Sequence, residues 1–224
     1  MKEHTVKILD IFDVTHDVRG FRLKKPGGYK FKAGQATNVV VNKEGWKDKE
    51  RPFTFTSLPE DDELEFIIKI YPSHNGVTEE IGKMKKGDEF IIHEPWGTIE
   101  YKGEGVFIAG GAGITPFVSI LRDLEKKDSL GGNMLLFANN TSDDIILEDE
   151  FNKMLGKKSF INILAEEKTD KYHKGFISKE FLEKQLDHFD RLFYLCGPPP
   201  MMKALQEHLD KLGVGKKSVI REEF

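Results

Sequence analysis

The run Ala109-Gly110-Gly111-Ala112-Gly113-Ile114-Thr115-Pro116 constrains the fold of this chain more than any other stretch. Residues 106–109 ahead of it read as a short buried strand. Behind it, Phe117, Ile120, Leu121 and Leu124 recur at helical spacing over residues 116–126. Glycines at a strand-to-helix turn let an anion approach bare backbone N–H groups at the positive end of a helix. The spacing here is Gly111-x-Gly113-x-x-Pro116, with proline in place of the third glycine of the dinucleotide fingerprint. Proline suits a first helical turn, where its missing N–H is no loss.

The same alternation runs on to the end of the chain. Strands are expected at 134–138, 160–164, 192–196 and 218–220, and helices at 147–155, 178–186 and 199–212. Strands alternating with helices predict a parallel, doubly wound sheet. Upstream the rhythm differs. Strand signals at 5–14, 20–23, 37–41, 52–57, 64–71 and 89–93 are punctuated by turn clusters such as Pro26-Gly27-Gly28 and Lys86-Gly87-Asp88. One short helix is expected at 78–84, with Glu79 and Glu80 suited to its first turn. Six short strands so spaced predict an antiparallel barrel. The chain therefore reads as two domains, an antiparallel β-barrel over 1–101 and an α/β parallel-sheet domain over 104–224.

A length of 224 residues leaves room for two modest domains with their own cores. Charge is balanced in both: 17 Lys and Arg against 18 Asp and Glu up to Gly103, and 17 against 20 beyond it. Neither half carries the basic excess of a nucleic-acid binder. The lysine clusters at Lys83, Lys85 and Lys86, and at Lys43, Lys47 and Lys49, read first as solvated faces and second as docking for an acidic redox protein. Cys196 is the only cysteine, which excludes an internal disulfide, a Cys₄ zinc site and a cysteine-held iron–sulfur cluster within this chain. The seven histidines lack the close spacing of a metal pair. No run approaches the roughly 20 apolar residues of a membrane span, and residues 1–12 lack a secretory apolar core. A cytoplasmic protein without membrane or nucleic-acid partners is the expectation.

Three further motifs carry chemistry. Cys196-Gly197-Pro198-Pro199-Pro200-Met201 ends the 192–196 strand, and the carboxyl ends of strands in a parallel sheet border one ligand crevice. A lone cysteine is ordinarily structural; beside a glycine turn, its thiol also reads as a small polarizable wall for a flat ring. Arg51-Pro52-Phe53-Thr54 offers a cation for phosphate, an aromatic face and a hydroxyl for a ring nitrogen. Gly76-Val77-Thr78 precedes the short helix and offers backbone N–H groups.

Taken in order and spacing, these four motifs resemble the ferredoxin–NADP reductase superfamily over nearly the whole chain. The resemblance implies a flavin-binding Greek-key barrel followed by a nicotinamide-nucleotide domain, with FAD and NADH or NADPH as cofactors. It implies that Arg51, with Pro52 beside it, holds the flavin pyrophosphate, that Phe53 packs on the flavin, and that Thr54 hydrogen-bonds near its hydride-accepting nitrogen. Lys69 and Tyr71 form a further flavin-side pair, and Gly76, Val77 and Thr78 donate to flavin phosphate. Gly111, Gly113 and Thr115 border the nicotinamide nucleotide. Cys196 lies against the nicotinamide in a pocket shaped by Gly197, Pro198 and Met201. The ending Glu222-Glu223-Phe224 is similar to the acidic-x-aromatic ending of several members, in which Phe224 would cover the flavin and Glu222 would assist electron or proton exchange; a frayed charged tail is the alternative. Thr54, Cys196 and Glu222 are the implied catalytic set.

The implied activity passes a hydride from nicotinamide to flavin and then electrons to a separate acceptor, ferredoxin or flavodoxin by analogy, or a small molecule. A flavin reductase acting on free flavin and an electron-transfer subunit of a larger complex are the alternatives. A ribose 2′-phosphate wants arginine, whereas a free 2′-hydroxyl is served by a carboxylate. Asn139 and Asn140 follow the 134–138 strand, and Glu166 and Glu167 follow 160–164. This favours NADH, while Lys168 and Lys171 leave NADPH open.

Overall fold

In a computed structural model, residues 2–97 and 99–221 are described, and the chain forms two compact units: Met1–Glu100 with Thr115–Asp123, and Tyr101–Ile114 with Leu124–Phe224. Among the described residues no helix is long and apolar enough to cross a membrane.

The first unit contains β1 (His4–Asp13), β2 (Val18–Lys24), β3 (Ala36–Val41), β4 (Glu50–Thr54), β5 (Glu63–Lys69), helix α1 (Val77–Gly82) and β6 (Glu89–Ile92). The strand order is β4-β3-β6-β1-β2-β5 with every pairing antiparallel. Insertion of β6 between β3 and β1 is the Greek-key return. Alternation decides which side faces in: Val6 and Ile8 of β1 are buried while Thr5 and Lys7 are exposed. The enclosed core is aromatic, with Phe21, Phe55, Phe66 and Phe90 all fully buried. Phe31 and Phe66 stack on Phe55 at centroid distances of 4.2 and 5.1 Å. Gly20 faces Phe12 across β1 and β2. A Cβ on Gly20 would stand 2.1 Å from the Phe12 ring, so only glycine lets that ring lie flat over the strand.

The expected strand at 52–57 proves to be two. β4 pairs with β3 as far as Thr54; the chain then crosses, Phe55 bridging to Phe66 and the Thr56 N–H donating to the Glu65 carbonyl at 2.8 Å. This crossing nearly closes the barrel. The next strand ends at Lys69, short of the expected Tyr71.

A buried phenol sits against β6. The Tyr29 hydroxyl donates to the His93 carbonyl at 2.6 Å, and burial pushes its pKa from 10.0 up to about 12. Below pH 10 the phenol is protonated folded or unfolded. Between pH 10 and about 12 only the unfolded phenol ionises, so stability falls with rising pH across that window. Tyr29→Phe is expected to flatten this slope, read by urea midpoints at pH 9 and pH 11.

After β6 the chain runs through β7 (Gly105–Gly110), a 3₁₀ turn (Gly111–Ile114), α2 (Thr115–Lys126), β8 (Met134–Asn139), a 3₁₀ turn (Ser142–Asp144), α3 (Glu148–Ser159), β9 (Phe160–Leu164), β10 (His173–Lys174), α4 (Lys179–Gln185), β11 (Leu192–Cys196), α5 (Pro199–Lys211), a 3₁₀ turn (Lys216–Ser218) and β12 (Val219–Arg221). The order β10-β9-β8-β7-β11-β12 is parallel throughout. All of β7 is buried, as the central strand of a sheet covered on both faces must be. From β7 the chain winds outward through β8, β9 and β10, then returns to lay β11 on the other side of β7. The switch point thus falls between β7 and β11.

Three details depart from expectation. β10 has two residues, too few for any periodic signal. The glycine run forms a 3₁₀ turn before α2 begins. In α3, Gly156 adopts φ 69 and ψ 167, interrupting the helix next to its expected end at residue 155. Most of α2, Thr115–Asp123, is grouped with the barrel. There the Ser119 hydroxyl accepts from the Gly34 N–H at 2.9 Å, and Arg122 Nη1 donates to the Thr56 carbonyl and to Glu65 Oε1, both at 2.8 Å.

Candidate active site

On the barrel the candidate residues gather along one seam. β4 and β5 lie at the two ends of the strand order and are joined at Phe55–Phe66, with no ladder continuing past that bridge among the described residues. One lip of the open part carries Arg51, Pro52, Phe53 and Thr54; the other leads to Lys69 and Tyr71. Strand edges left unpaired present N–H and C=O groups to whatever occupies the gap. Pro52 is tolerated because β4 is such an edge. Arg51 and Pro52 are exposed, Phe53 and Thr54 half-buried. Arg51 spends one N–H on the Glu50 carbonyl at 2.8 Å. Phe53 leans on the core, 6.4 Å from the Phe66 ring. An exposed guanidinium beside a half-buried ring and hydroxyl fits a phosphorylated, flat cofactor.

Other barrel residues are committed locally. Lys69 Nζ lies 2.8 Å from the Asp17 carboxylate, because the register of β2 with β5 sets Val18 opposite Lys69. Tyr71 stacks on His74 at 5.7 Å. Gly76 caps α1, Thr78 is half-buried, and Val77 is buried in the barrel core. Glu79 accepts from the Asn75 N–H at 2.8 Å and from Lys83 at 2.9 Å; these bonds, Lys83 first, hold its carboxyl below the usual range. A carboxylate therefore already sits beside the turn expected to receive phosphate. The lysine clusters are likewise partly neutralised, Lys43 by Glu80 at 3.2 Å and Lys83 by Glu79.

In the second unit the glycine turn and the cysteine loop are packed together at the carboxyl edge. β7 and β11 are neighbours, with Cys196 opposite Ala109. A Cβ on Gly113 would stand 2.4 Å from the Cys196 carbonyl oxygen and 2.7 Å from the Gly197 nitrogen. One on Gly110 would stand 2.4 Å from Met201 Sδ and 2.9 Å from Pro198 Cδ. Gly111 differs: its φ is +51, and among the described residues nothing beyond its chain neighbours lies within 4 Å of where its Cβ would be. The turn is thus held by backbone contact on one side and open on the other, which fits a pyrophosphate seat. Gly113→Ala is expected to cost about 1–3 kcal/mol by overpacking, read as a lower Tm together with weaker NAD⁺ binding. Cys196 is half-buried at the end of β11. Thr115 opens α2. Glu222 and Phe224 lie outside the described residues.

Beyond β9, the Ala165 and Glu166 N–H groups donate to the Asn139 and Asn140 carbonyls at 2.9 and 3.0 Å. This places both acidic candidates beside the end of β8. Glu167 accepts from the Ser142 N–H at 2.6 Å, which lowers its pKa. Sequence reasoning missed two residues here. The Asn139 side chain is buried with neither amide atom hydrogen-bonded among the described residues. Phe176, just past β10, is 80% exposed. The pair Gly175-Phe176 carried no periodic signal, and Asn139 was read only as not being arginine.

Comparison with known proteins agrees with this geometry. Residues 5–101 match the oxidoreductase FAD-binding domain and residues 107–207 the oxidoreductase NAD-binding domain. The chain is similar to NADH-cytochrome b5 reductase 1 of Homo sapiens, 27% identical over 96% of this chain and 84% of that one. It is 34% identical to NADH-cytochrome b5 reductase 1 of Mycosarcoma maydis over 84% of this chain, spanning 61% of that relative. The FAD/NAD-binding domain of nitric oxide dioxygenase from Vibrio cholerae shares the fold, with TM-score 0.87 and 24% identity over 98% of both chains.

Proposed function

Because the chain is a flavoprotein oxidoreductase of the ferredoxin reductase-like FAD/NAD-binding family, we propose that it draws electrons from NADH and delivers them to a separate redox protein. The observation that carries this reading is the packing of the Gly110–Gly113 turn on the Cys196–Met201 loop at the switch point of the parallel sheet. Bound FAD supplies hydride acceptance and one-electron release, chemistry the protein orients but does not itself perform.

The protein's part divides between 1–101, the FAD-binding domain, and 104–224, the NAD(P)-binding domain. Arg51 holds the flavin pyrophosphate with a charge-assisted pair, beside Pro52. Phe53 packs against the flavin, and Thr54 donates a hydrogen bond near its reactive nitrogen. Gly76, Val77 and Thr78 donate to phosphate, with Lys69 and Tyr71 on the opposite lip. Gly111, Gly113 and Thr115 receive the nicotinamide nucleotide, Phe176 offers its exposed face to the adenine, and Cys196 orients the nicotinamide within walls from Gly197, Pro198 and Met201. Glu222 assists electron or proton exchange, and Phe224 covers the flavin until nicotinamide displaces it. The resemblance implies ferredoxin or flavodoxin as acceptor; relatives named for cytochrome b5 make a small haem protein the first one to assay.

Anaerobic stopped-flow mixing of the yellow protein with NADH and with NADPH tests the reading. Fast bleaching of flavin absorbance by NADH, and slow bleaching by NADPH, is expected; no bleaching by either would overturn it.

A further inference from the structure

The excursion between β9 and β10 leaves and rejoins the sheet at the same edge: the Gly175 N–H donates to the Leu164 carbonyl at 2.8 Å, and Lys174 is opposite Leu164. It thus lies where a nucleotide ribose would be read in a parallel sheet. Two carboxylates tie it to the segment after β8. Glu167 takes the Ser142 N–H at 2.6 Å. Glu148, the first residue of α3, accepts from Lys171 Nζ at 2.9 Å and from the Tyr172 hydroxyl at 2.8 Å, both on Oε1. Lys171 Nζ also lies 4.7 Å from the Tyr172 ring centroid. Tyr172 and Glu148 together raise the pKa of Lys171. Burial pushes Glu148 up, but the hydrogen bonds from Lys171 and Tyr172 outweigh it and leave its pKa lowered. Lys171 is therefore already in use, and its partner is less exposed than it is, 22% against 65%.

We propose that Glu148 is a specificity-determining residue: by holding Lys171 against the start of α3, it withholds a cation that would pair with a ribose 2′-phosphate, and so favours NADH over NADPH. The inference rests on the reading of this sheet edge as the nicotinamide-nucleotide site. Lys168 is exposed on the same excursion, but it is common to every variant below and leaves their ratios unchanged. An exposed ion pair braces a fold weakly, so releasing Lys171 perturbs the excursion little. A lysine on phosphate makes a charge-assisted bond.

Isothermal titration of the flavin-loaded protein with NAD⁺ and with NADP⁺ separates the possibilities without turnover. Glu148→Gln is expected to tighten NADP⁺ about tenfold, the order of one hydrogen bond to a charged group, while NAD⁺ shifts less than twofold. The gain should disappear in the Glu148→Gln/Lys171→Gln double variant. Glu148→Ser, which keeps a short polar side chain in the first turn, serves as a second release variant should glutamine there fail to fold. An unchanged NADP⁺ affinity, or a gain that survives removal of Lys171, overturns the proposal. Wild-type protein that binds NADP⁺ as tightly as NAD⁺ also overturns it, while leaving the nucleotide site standing. Wild-type protein that binds neither nucleotide overturns the site itself.

Discussion

Phe55→Ala is expected to destabilise the barrel by about 3–5 kcal/mol, the cost of truncating a fully buried phenylalanine. Phe55 has no exposed surface and stacks with Phe31 and Phe66, so the cavity would open inside the aromatic core of the barrel. Its backbone also bridges to Phe66, where the chain leaving β4 meets β5. Collapse around a smaller side chain would pull at that bridge and widen the seam that carries Arg51, Phe53 and Thr54. Set against a typical stability of about 5–15 kcal/mol, the loss is a large fraction of the total. Two readouts are expected to move together: a chemical-denaturation midpoint followed by barrel tryptophan fluorescence, and the fraction of protein that retains FAD on gel filtration. Full FAD retention alongside the predicted loss of stability would show that the seam is held by something other than Phe55.

How much of this could be read beforehand depended on whether the cause was local. The wholly apolar 106–109 segment, the glycine run after it and the helical stripe of Phe117, Ile120, Leu121 and Leu124 each specify structure within a few residues. They placed β7, the turn and α2 correctly. Gly156 acts locally as well, and the helix was expected to stop beside it. Failures came where a distant partner decides. Residues 52–57 alternate evenly, and nothing in the alternation tells that the chain changes partner from β3 to β5 at Phe55. The pairing of Lys69 with Asp17 was equally hidden, since only the β2–β5 register brings the two together. Ser119 and Arg122 look like ordinary helix residues, yet their bonds to Gly34, Thr56 and Glu65 join most of α2 to the barrel. The candidate site shows the same division. Its glycines were legible from their own conformational needs. The occupation of Lys171 by Glu148 was not, because 23 residues separate them and only the return from β9 to β10 brings them together.

Cys196→Ala is expected to slow flavin reduction by NADH about tenfold to a hundredfold, since a misplacement of roughly 1 Å at a reacting centre can cost that much. The substitution is a clean one because the backbone at this position is fixed independently of the thiol. The Cys196 carbonyl lies against Gly113, the residue pairs with Ala109 of β7, and the three prolines that follow stiffen the chain into α5. Removing Sγ therefore leaves the loop backbone in place and takes away the wall against which the nicotinamide is proposed to rest. The thiol is also separated in sequence from every barrel residue assigned to FAD, so FAD content and Tm are expected to match wild type within error. Single-turnover reduction at saturating NADH isolates this effect from nucleotide affinity, and Cys196→Ser tests shape against chemistry. Serine restores the hydrogen-bonding group in a smaller volume, so recovery of the rate in serine but not alanine would assign the effect to polarity. An equal loss of reduction rate and FAD content in Cys196→Ala would mean that the residue supports the fold and not the hydride step.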